Sequence, residues 1–409
     1  MWNRKRQNLL LVVEIFVAFL IVVAVTVVGL HFGNNSLQPL GFSADDAWTV
    51  SVDRAAPRTP TDAQKDADRT LFTQVIREVD AVPGVEQTST AFIGPYSWYT
   101  WGESIDLEDG PSIDVSSNRA DDAFARLLSL NMRSGRWFSR EDDAAGWEPI
   151  VINQKLATQI FGDVDPVGQM IVEGTSETPV PGGVGPGERR RKRVVGVIDD
   201  FRQFGELSAP SPVMFYRMSL DVPVERLELP EVLLLKVAPG TTAALEETIV
   251  SRMRTVAPGW SFSVQPVAAM RESMLREMIV PLVVVSIIAG ALLLMVALGL
   301  TGVVWQNVTQ RMREFGLRRA HGATAAQIGR QVIGELTVMT GFAVILGCLL
   351  LLQIPLLPLP PEIAVVPRQI FVLGVLVAAV AVFGVTILCA WYPSRLATKV
   401  PPSDALHYE

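Results

Sequence analysis

Four long apolar runs, Leu9–Leu30, Ile279–Val304, Val332–Leu352 and Ile370–Trp391, constrain this chain more than any other feature. A helix needs roughly 20 apolar residues at about 1.5 Å rise to cross a hydrocarbon core, and each run is long enough. With 49% hydrophobic and 19% charged residues, the apolar side chains are gathered into these runs, and the stretch between Gly33 and Arg276 reads as a water-soluble domain. The fold class expected is an α-helical membrane protein of four transmembrane helices carrying one large α/β domain.

Orientation follows from Lys and Arg in the short segments, because long domains are translocated largely regardless of charge. Residues 1–8 carry Arg4, Lys5 and Arg6; the 305–331 connection carries Arg311, Arg313, Arg318, Arg319 and Arg330; the 393–409 tail carries Arg395 and Lys399. The 353–369 connection holds Arg368 beside Glu362. Both termini and the Arg-rich loop are therefore expected in the cytoplasm, and residues 31–278 outside it. The first run is read as an uncleaved anchor. It is longer than the roughly 7 to 15 residues of a signal-peptide core, and Val27-Val-Gly-Leu-His31 offers no small-x-small cleavage site.

Both cysteines, Cys348 and Cys389, fall in apolar runs, so the outer domain has no disulfide framework despite an oxidising compartment. The formal net charge of -7 belongs mainly to that domain and disfavours nucleic acid as a partner.

Within the outer domain two stretches look alike. Trp48–Val52, then Asp62–Val79 with Leu71, Phe72, Val75, Ile76 and Val79 at helical spacing, then Ala-Val-Pro-Gly and Val85–Phe92, reads strand, helix, turn, strand. Val232–Val237, Thr241–Val256, Ala257-Pro-Gly259 and Trp260–Val264 repeat that order. The reading is a duplicated α/β lobe, about 45–92 and 231–266, holding residues 93–230 as an inserted β-rich lobe with Ile150–Asn153 and Arg193–Ile198 as strands and Gln154–Phe161 as a helix. The basic run Arg189-Arg-Arg-Lys-Arg193, after the Gly/Pro-rich 174–187 stretch, is expected to be a solvated hairpin tip.

Catalytic equipment is missing from the pattern. His31, His321 and His407 are scattered, no Ser/His/Asp grouping stands out, no metal-ligand spacing appears, and no G-x-x-x-x-G-K-[ST] phosphate loop occurs. No catalytic, metal or cofactor residue is assigned. Glu14 lies inside the first run, where a charge costs about 2.5 to 3.5 kcal/mol on insertion scales; close to the cytoplasmic edge, it is read as an intramembrane pairing residue for Arg or Gln of a neighbouring helix, and Glu335 as interfacial. Trp98, Tyr99 and Trp101 are either binding anchors or packing residues. Gly290, Gly299, Gly341 and Gly347 permit close helix approach.

The most specific stretch joins the second and third runs: Arg311-Met-Arg-Glu-Phe-Gly-Leu-Arg-Arg-Ala-His-Gly-Ala-Thr324. It reads as a short basic helix interrupted at Gly322, with Thr324 capping the next helix. A loop that only fixed topology would explain its arginines and leave the ordered Glu-Phe-Gly-Leu-Arg-Arg-Ala-x-Gly-Ala-Thr string unexplained.

That string resembles the E-[IF]-G-[IL]-R-R-A-x-G-A-[ST] pattern of MacB/FtsX-type ABC transporter permeases, the mechanotransmission (type VII) family. The tail Trp391-Tyr-Pro-Ser-Arg-Leu-Ala397 to Pro402-Ser-Asp-Ala-Leu406 is similar to the end of such permeases. Ser134-Gly-Arg-Trp-Phe-Ser139, Val151-Ile-Asn153, Ile160-Phe-Gly-Asp-Val-Asp-Pro-Val-Gly168 and Val194-Val-Gly-Val-Ile-Asp-Asp-Phe201 resemble the MacB-like periplasmic core. The resemblance implies a non-catalytic permease in the bacterial inner membrane with a periplasmic domain. ATP and Mg would be bound by separate ABC ATPase subunits, and the chain would dimerise with an identical or different permease. Arg311, Arg313, Glu314, Phe315, Gly316, Leu317, Arg318, Arg319, Ala320, Gly322, Ala323 and Thr324 take the part of the coupling helix that docks on the ATPase. Membrane lipid is implied as a partner, and the family allows a periplasmic adaptor or outer-membrane component. Any amphipathic helix before the first span is expected to be absent or very short, and the ATPase domain fused to MacB itself is expected on another chain. Two functions fit: efflux or extraction of a substrate at the outer face of the membrane, or FtsX-like signalling to a periplasmic cell-wall hydrolase.

Overall fold

The computed structural model describes residues 2–54, 60–106, 112–144, 146–171, 191–224, 227–241, 243–311, 314–315, 317–318, 321–353 and 366–399. The chain divides into two compact units, one of residues 1–34 and 278–409 and the other of residues 35–277.

Four helices form the first unit's frame: α1 (Trp2–Ser36), α6 (Val267–Gln310), α7 (Ala325–Leu351) and α8 (Arg368–Lys399). Each is long and apolar enough to cross a membrane, where only a helix satisfies its own backbone hydrogen bonds without a partner strand. Their common core gathers Ile15, Phe19 and Val23 of α1 with Val296 and Leu300 of α6, Ala343 of α7 and Ala378 of α8. Two glycines make room for α1: a Cβ at Gly347 would strike the Phe19 ring and one at Gly374 would strike Val27. Thr340 and Thr386 meet in this core with hydroxyl oxygens 3.1 Å apart. Gly290 has open space around its Cα.

Helix α6 begins at Val267 rather than at Ile279. Hydropathy marks only its lipid-compatible part; the preceding Ala268–Met278 stretch is polar but rich in strong helix formers, and the Arg276–Glu272 pair at 2.7 Å, one turn apart, supports it. Helix α8 likewise runs past Trp391 to Lys399.

In the outer unit the eleven described strands join one sheet, β11-β1-β10-β2-β4-β9-β6-β8-β5, with β3 on β4 and β7 on β8. The two similar stretches supply one end: β1 (Ala47–Asp53), α2 (Asp62–Asp80) and β2 (Val85–Ala91) from the first, β10 (Val232–Val237), α5 (Ala243–Val256) and β11 (Ser261–Pro266) from the second. Strand β1 lies between β10 and β11, antiparallel to both. Phe72, Val75 and Val79 of α2 and Ile249 and Met253 of α5 share a core with Val50, Leu233, Leu235 and Phe262. A capping box between Thr61 and Gln64 starts α2.

The middle of the chain builds the other end: β3 (Trp101–Asp106), β4 (Ser112–Ala120), α3 (Phe124–Leu127), β5 (Met132–Gly135), β6 (Glu148–Asn153), α4 (Gln154–Phe161), β7 (Met170–Ile171), β8 (Lys192–Ile198) and β9 (Val213–Arg217). Its core holds Ile105, Val115, Ile150, Ile152, Leu156, Val194, Met214 and Tyr216. The two ends of the sheet meet at one paired position, Ala91 with Ala120. The motif residues are structural here. Asn153 caps α4 through Leu156 N–H at 3.1 Å, accepts from Val213 N–H at 3.0 Å and donates to Ser211 O at 2.7 Å. Arg136 grips Asp142 with two bonds at 2.8 and 2.5 Å, and Trp137 donates to Asp121 O at 2.9 Å.

One sequence expectation is corrected. Lys192 is no solvated hairpin tip: it is the first residue of β8 and 6% exposed. Its Nζ lies 3.4 Å from Glu103 Oε2 and over the Tyr216 ring, whose hydroxyl donates to the same carboxylate at 2.5 Å. Strand alternation turns Lys192 inward, where the half-buried Glu103 carboxylate and the Tyr216 ring offset the cost of burying its charge. Arg193, pointing out, covers Trp147. Arg189, Arg190 and the 174–187 stretch lie outside the described residues.

Candidate functional site

The elbow between α6 and α7 is built from local rules. Helix α6 ends at Gln310, and the turn that follows carries Arg311, whose N–H donates to Val308 O at 3.1 Å and whose C=O accepts from Phe315 N–H at 3.0 Å. Glu314, Phe315, Leu317 and Arg318 are helical. The chain then reverses at Gly322, φ +92°, a backbone setting that favours glycine. Ala323 N–H returns to Arg318 O at 3.0 Å. Thr324 starts α7 with a capping box: its Oγ1 accepts from Gln327 N–H at 3.3 Å, and its own N–H donates to Gln327 Oε1 at 2.8 Å.

Side chains then brace the elbow against α7. Arg311 Nη1 donates to both oxygens of Glu335, at 2.9 and 3.0 Å. Arg318 donates to Glu314 at 2.6 Å and to Gln331, whose Nε2 donates on to Glu335 at 3.3 Å. Glu335, read as an interfacial acid, is thus the anchor of the brace, which sequence reasoning did not anticipate; its spacing of four from Gln331 was the available signal. Phe315 is buried, whereas Leu317 is 53% exposed. The elbow therefore presents an exposed apolar side chain, Leu317, near the part-exposed Arg318–Glu314 and Arg311–Glu335 pairs. Arg313, Gly316, Arg319 and Ala320 lie outside the described residues.

Glu14 is half-buried in α1. A Cβ at Gly299 of α6 would stand 3.4 Å from its Oε2, so this glycine leaves the space the carboxylate uses. No Arg or Gln pairs with it among the described contacts. The aromatic trio is divided: Trp101 stacks on Tyr216 with centroids 5.5 Å apart, while Trp98 and Tyr99 are both largely exposed.

Four membrane-compatible helices, a large α/β domain between the first two and a braced basic elbow between the second and third define the class: an ABC-type permease. Two family models match the chain, the MacB-like periplasmic core domain over residues 9–252 and the FtsX-like permease C-terminal region over residues 286–402. The chain belongs to the MacB/FtsX family of permeases, inner-membrane proteins with a periplasmic domain whose members work with ABC ATPases.

Among relatives, the macrolide export ATP-binding/permease protein MacB of Agrobacterium fabrum is 24% identical across 99% of this chain and 59% of its own length. The ABC transporter permease YknZ of Bacillus subtilis is 24% identical over 72% of this chain and 70% of its own. The pyoverdine export protein PvdT of Pseudomonas syringae is 24% identical over 71% of this chain and 42% of its own. The chain thus spans about half the length of the export proteins it matches. The periplasmic region of MacB from Actinobacillus actinomycetemcomitans aligns with 57% of this chain and 94% of its own at 9% identity, TM-score 0.37.

Proposed function

We propose that this chain is the membrane subunit of an ABC transporter whose separate ATPase docks on the 311–324 elbow, and that ATP-driven movement there is carried by the membrane helices to the outer domain, for efflux or extraction of a substrate at the outer face of the inner membrane. The carrying observation is α6. It runs as one helix, with Pro281 inside it, from Gln310, at the elbow, to Val267, directly after β11. At about 1.5 Å per residue its length is roughly 66 Å, about twice a hydrocarbon core of ~30 Å.

A helix carries displacement along its axis, and Pro281, which has no N–H to donate, is the point at which this one can bend. The braced elbow supports the same reading: Arg311, Arg318, Gln331 and Glu335 tie it to α7, so a push on Leu317 moves two helices together. The arginine distribution supports a cytoplasmic elbow and cytoplasmic termini. Two relatives carry names of export functions, which favours transport over signalling to a hydrolase. A second permease, identical or different, completes the unit on this reading, and ATP and Mg stay on the ATPase.

The test is co-purification of the full chain with its ATPase, with and without Arg318→Ala, Arg319→Ala and Gly322→Val. The expected result is loss of complex formation and of ATPase stimulation. Survival of both through all three changes would show that the elbow is not the docking site.

A further inference from the structure

Two segments lead from membrane helices into the outer unit: residues 37–46 after α1, and the first turns of α6. Both are held by one loop, Phe201–Ser208, which follows β8. Arg202 is 2% exposed and is its centre. Its N–H donates to Leu40 O at 3.1 Å. Nη1 donates to Gln38 O at 2.9 Å and Pro39 O at 3.4 Å, Nη2 to Glu206 O at 2.5 Å, and Nε to Ser208 O at 3.2 Å. A planar guanidinium can serve carbonyls in several directions at once; an ammonium cannot reproduce that fork. Beside it, Asn35 in the last turn of α1 donates to Leu207 O at 2.9 Å.

The other side of the loop holds α6. Arg271 Nε donates to Glu206 Oε1 at 2.8 Å. Trp98, packed on Phe204 with centroids 5.7 Å apart, donates to Glu277 Oε2 at 2.7 Å. Gln203 ties the two loops by donating to Ser97 O at 2.9 Å and Tyr99 O at 2.7 Å.

Strain is concentrated here. Tyr96 sits at φ +55°, a setting bulky residues adopt only when their surroundings enforce it, and its N–H donates to Gln203 O at 2.8 Å. Its ring occupies the place of a side chain at Gly205, φ +80°, where a Cβ would come within 2.7 Å. Inward, the Phe201 ring lies 5.2 Å from Phe215 of β9 and 6.0 Å from Phe124 of α3. The loop is therefore rooted in the core of the inserted lobe, whose sheet joins the α/β lobe at the Ala91–Ala120 pair and through Asp121, whose carboxylate accepts from Ser89 and Thr90.

We propose that Phe201–Ser208 is the joint that turns the inserted lobe when α1 and α6 move, with Arg202 and the Glu206–Arg271 pair as its positioning residues. The proposal rests on the coupling reading above. A loop fastened to the segment after α1, to the first turns of α6 and to the lobe's aromatic core makes the lobe follow the helices.

The experiment uses the full chain with its ATPase in lipid nanodiscs, Cys348 and Cys389 replaced by Ser, and spin labels at Gln74→Cys in α2 and Gln159→Cys in α4. The distance between labels is measured with ADP and with ATP. In the otherwise unchanged chain it shifts with ATP. Glu206→Gln and Arg271→Gln, which leave Arg202 and the fold in place, abolish the shift while ATPase turnover is retained; Arg202→Lys does the same. If Glu206→Gln and Arg271→Gln shift as the unchanged chain does, the joint is refuted and the coupling reading stands. If the unchanged chain shows no shift, the coupling reading fails, and this inference with it.

Discussion

The elbow at 311–324 and the loop at 201–208 are made differently. The elbow at 311–324 is a surface turn: its ion pairs are part-exposed, Leu317 faces outward, and its shape comes from one glycine and one capping box. The outer joint at 201–208 is buried: Arg202 spends its donors on carbonyls, and Tyr96, Gly205 and Phe201 interlock. A surface that must engage and release a partner is built of exchangeable contacts, whereas a joint that must not slip is built into a core.

That contrast predicts unequal costs. Phe201→Ala removes an aromatic ring buried against Phe42, Phe124 and Phe215 and is expected to destabilise the outer domain by about 3–5 kcal/mol, read as a lower urea midpoint of the full chain in detergent. A loss no greater than that of Leu317→Ala would erase the distinction between the two places.

Next in size is Asp142→Asn. Burial pushes the Asp142 carboxyl up, but the Arg136 guanidinium, the Ser139 N–H and Arg217 outweigh it and hold it below its ordinary value. A carboxylate depressed in the folded state stabilises above its unfolded value, about 3.9, and that contribution disappears as pH falls through the folded value. Asp142→Asn is thus expected to lower stability by about 1–3 kcal/mol at neutral pH, with the gap to the unchanged chain closing in acid. A gap that stays constant down to pH 3 would mean that Arg136 does not depend on the charge.

At the elbow the effects shrink. Thr324→Ala breaks the cap of α7 and is expected to cost about 1 kcal/mol, seen as faster proteolysis at the elbow. Arg311→Ala, which removes the bonds to Glu335, is expected to cost about 0.2–1 kcal/mol yet to reduce ATPase stimulation, because the brace transmits force whatever it contributes to stability. A large melting shift with intact stimulation would reverse that assignment.

The same contrast governs what could be read in advance. The α/β lobe was legible because its period-2 strands and helical Phe72, Val75 and Val79 are local patterns, and its β1, β10 and β11 pair as two like halves would. Most of the elbow was legible because a cap, a glycine and a string of charges are neighbours in sequence. Strands β3, β4, β5, β7 and β9 were not: β4 carries Ser, Asn and Arg among its apolar residues and β7 is two residues long, so neither shows a period. The outer joint was invisible for another reason. Asn35, Tyr96, Arg202 and Arg271 are far apart in the chain, each looks like an ordinary surface residue, and only folding makes them neighbours. Hydropathy also fell short at α6, since it reports where lipid begins and not where the helix does.

The central claim, that a separate ATPase engages the elbow and moves it, is tested most directly by a cross-link. Leu317→Cys in the full chain with Cys348 and Cys389 replaced by Ser, assembled with its ATPase and treated with copper phenanthroline and air as oxidant, should form a disulfide with a cysteine in the ATPase groove, at a yield that changes between ATP and ADP. No cross-link in either nucleotide state, from a complex that still hydrolyses ATP, would contradict it.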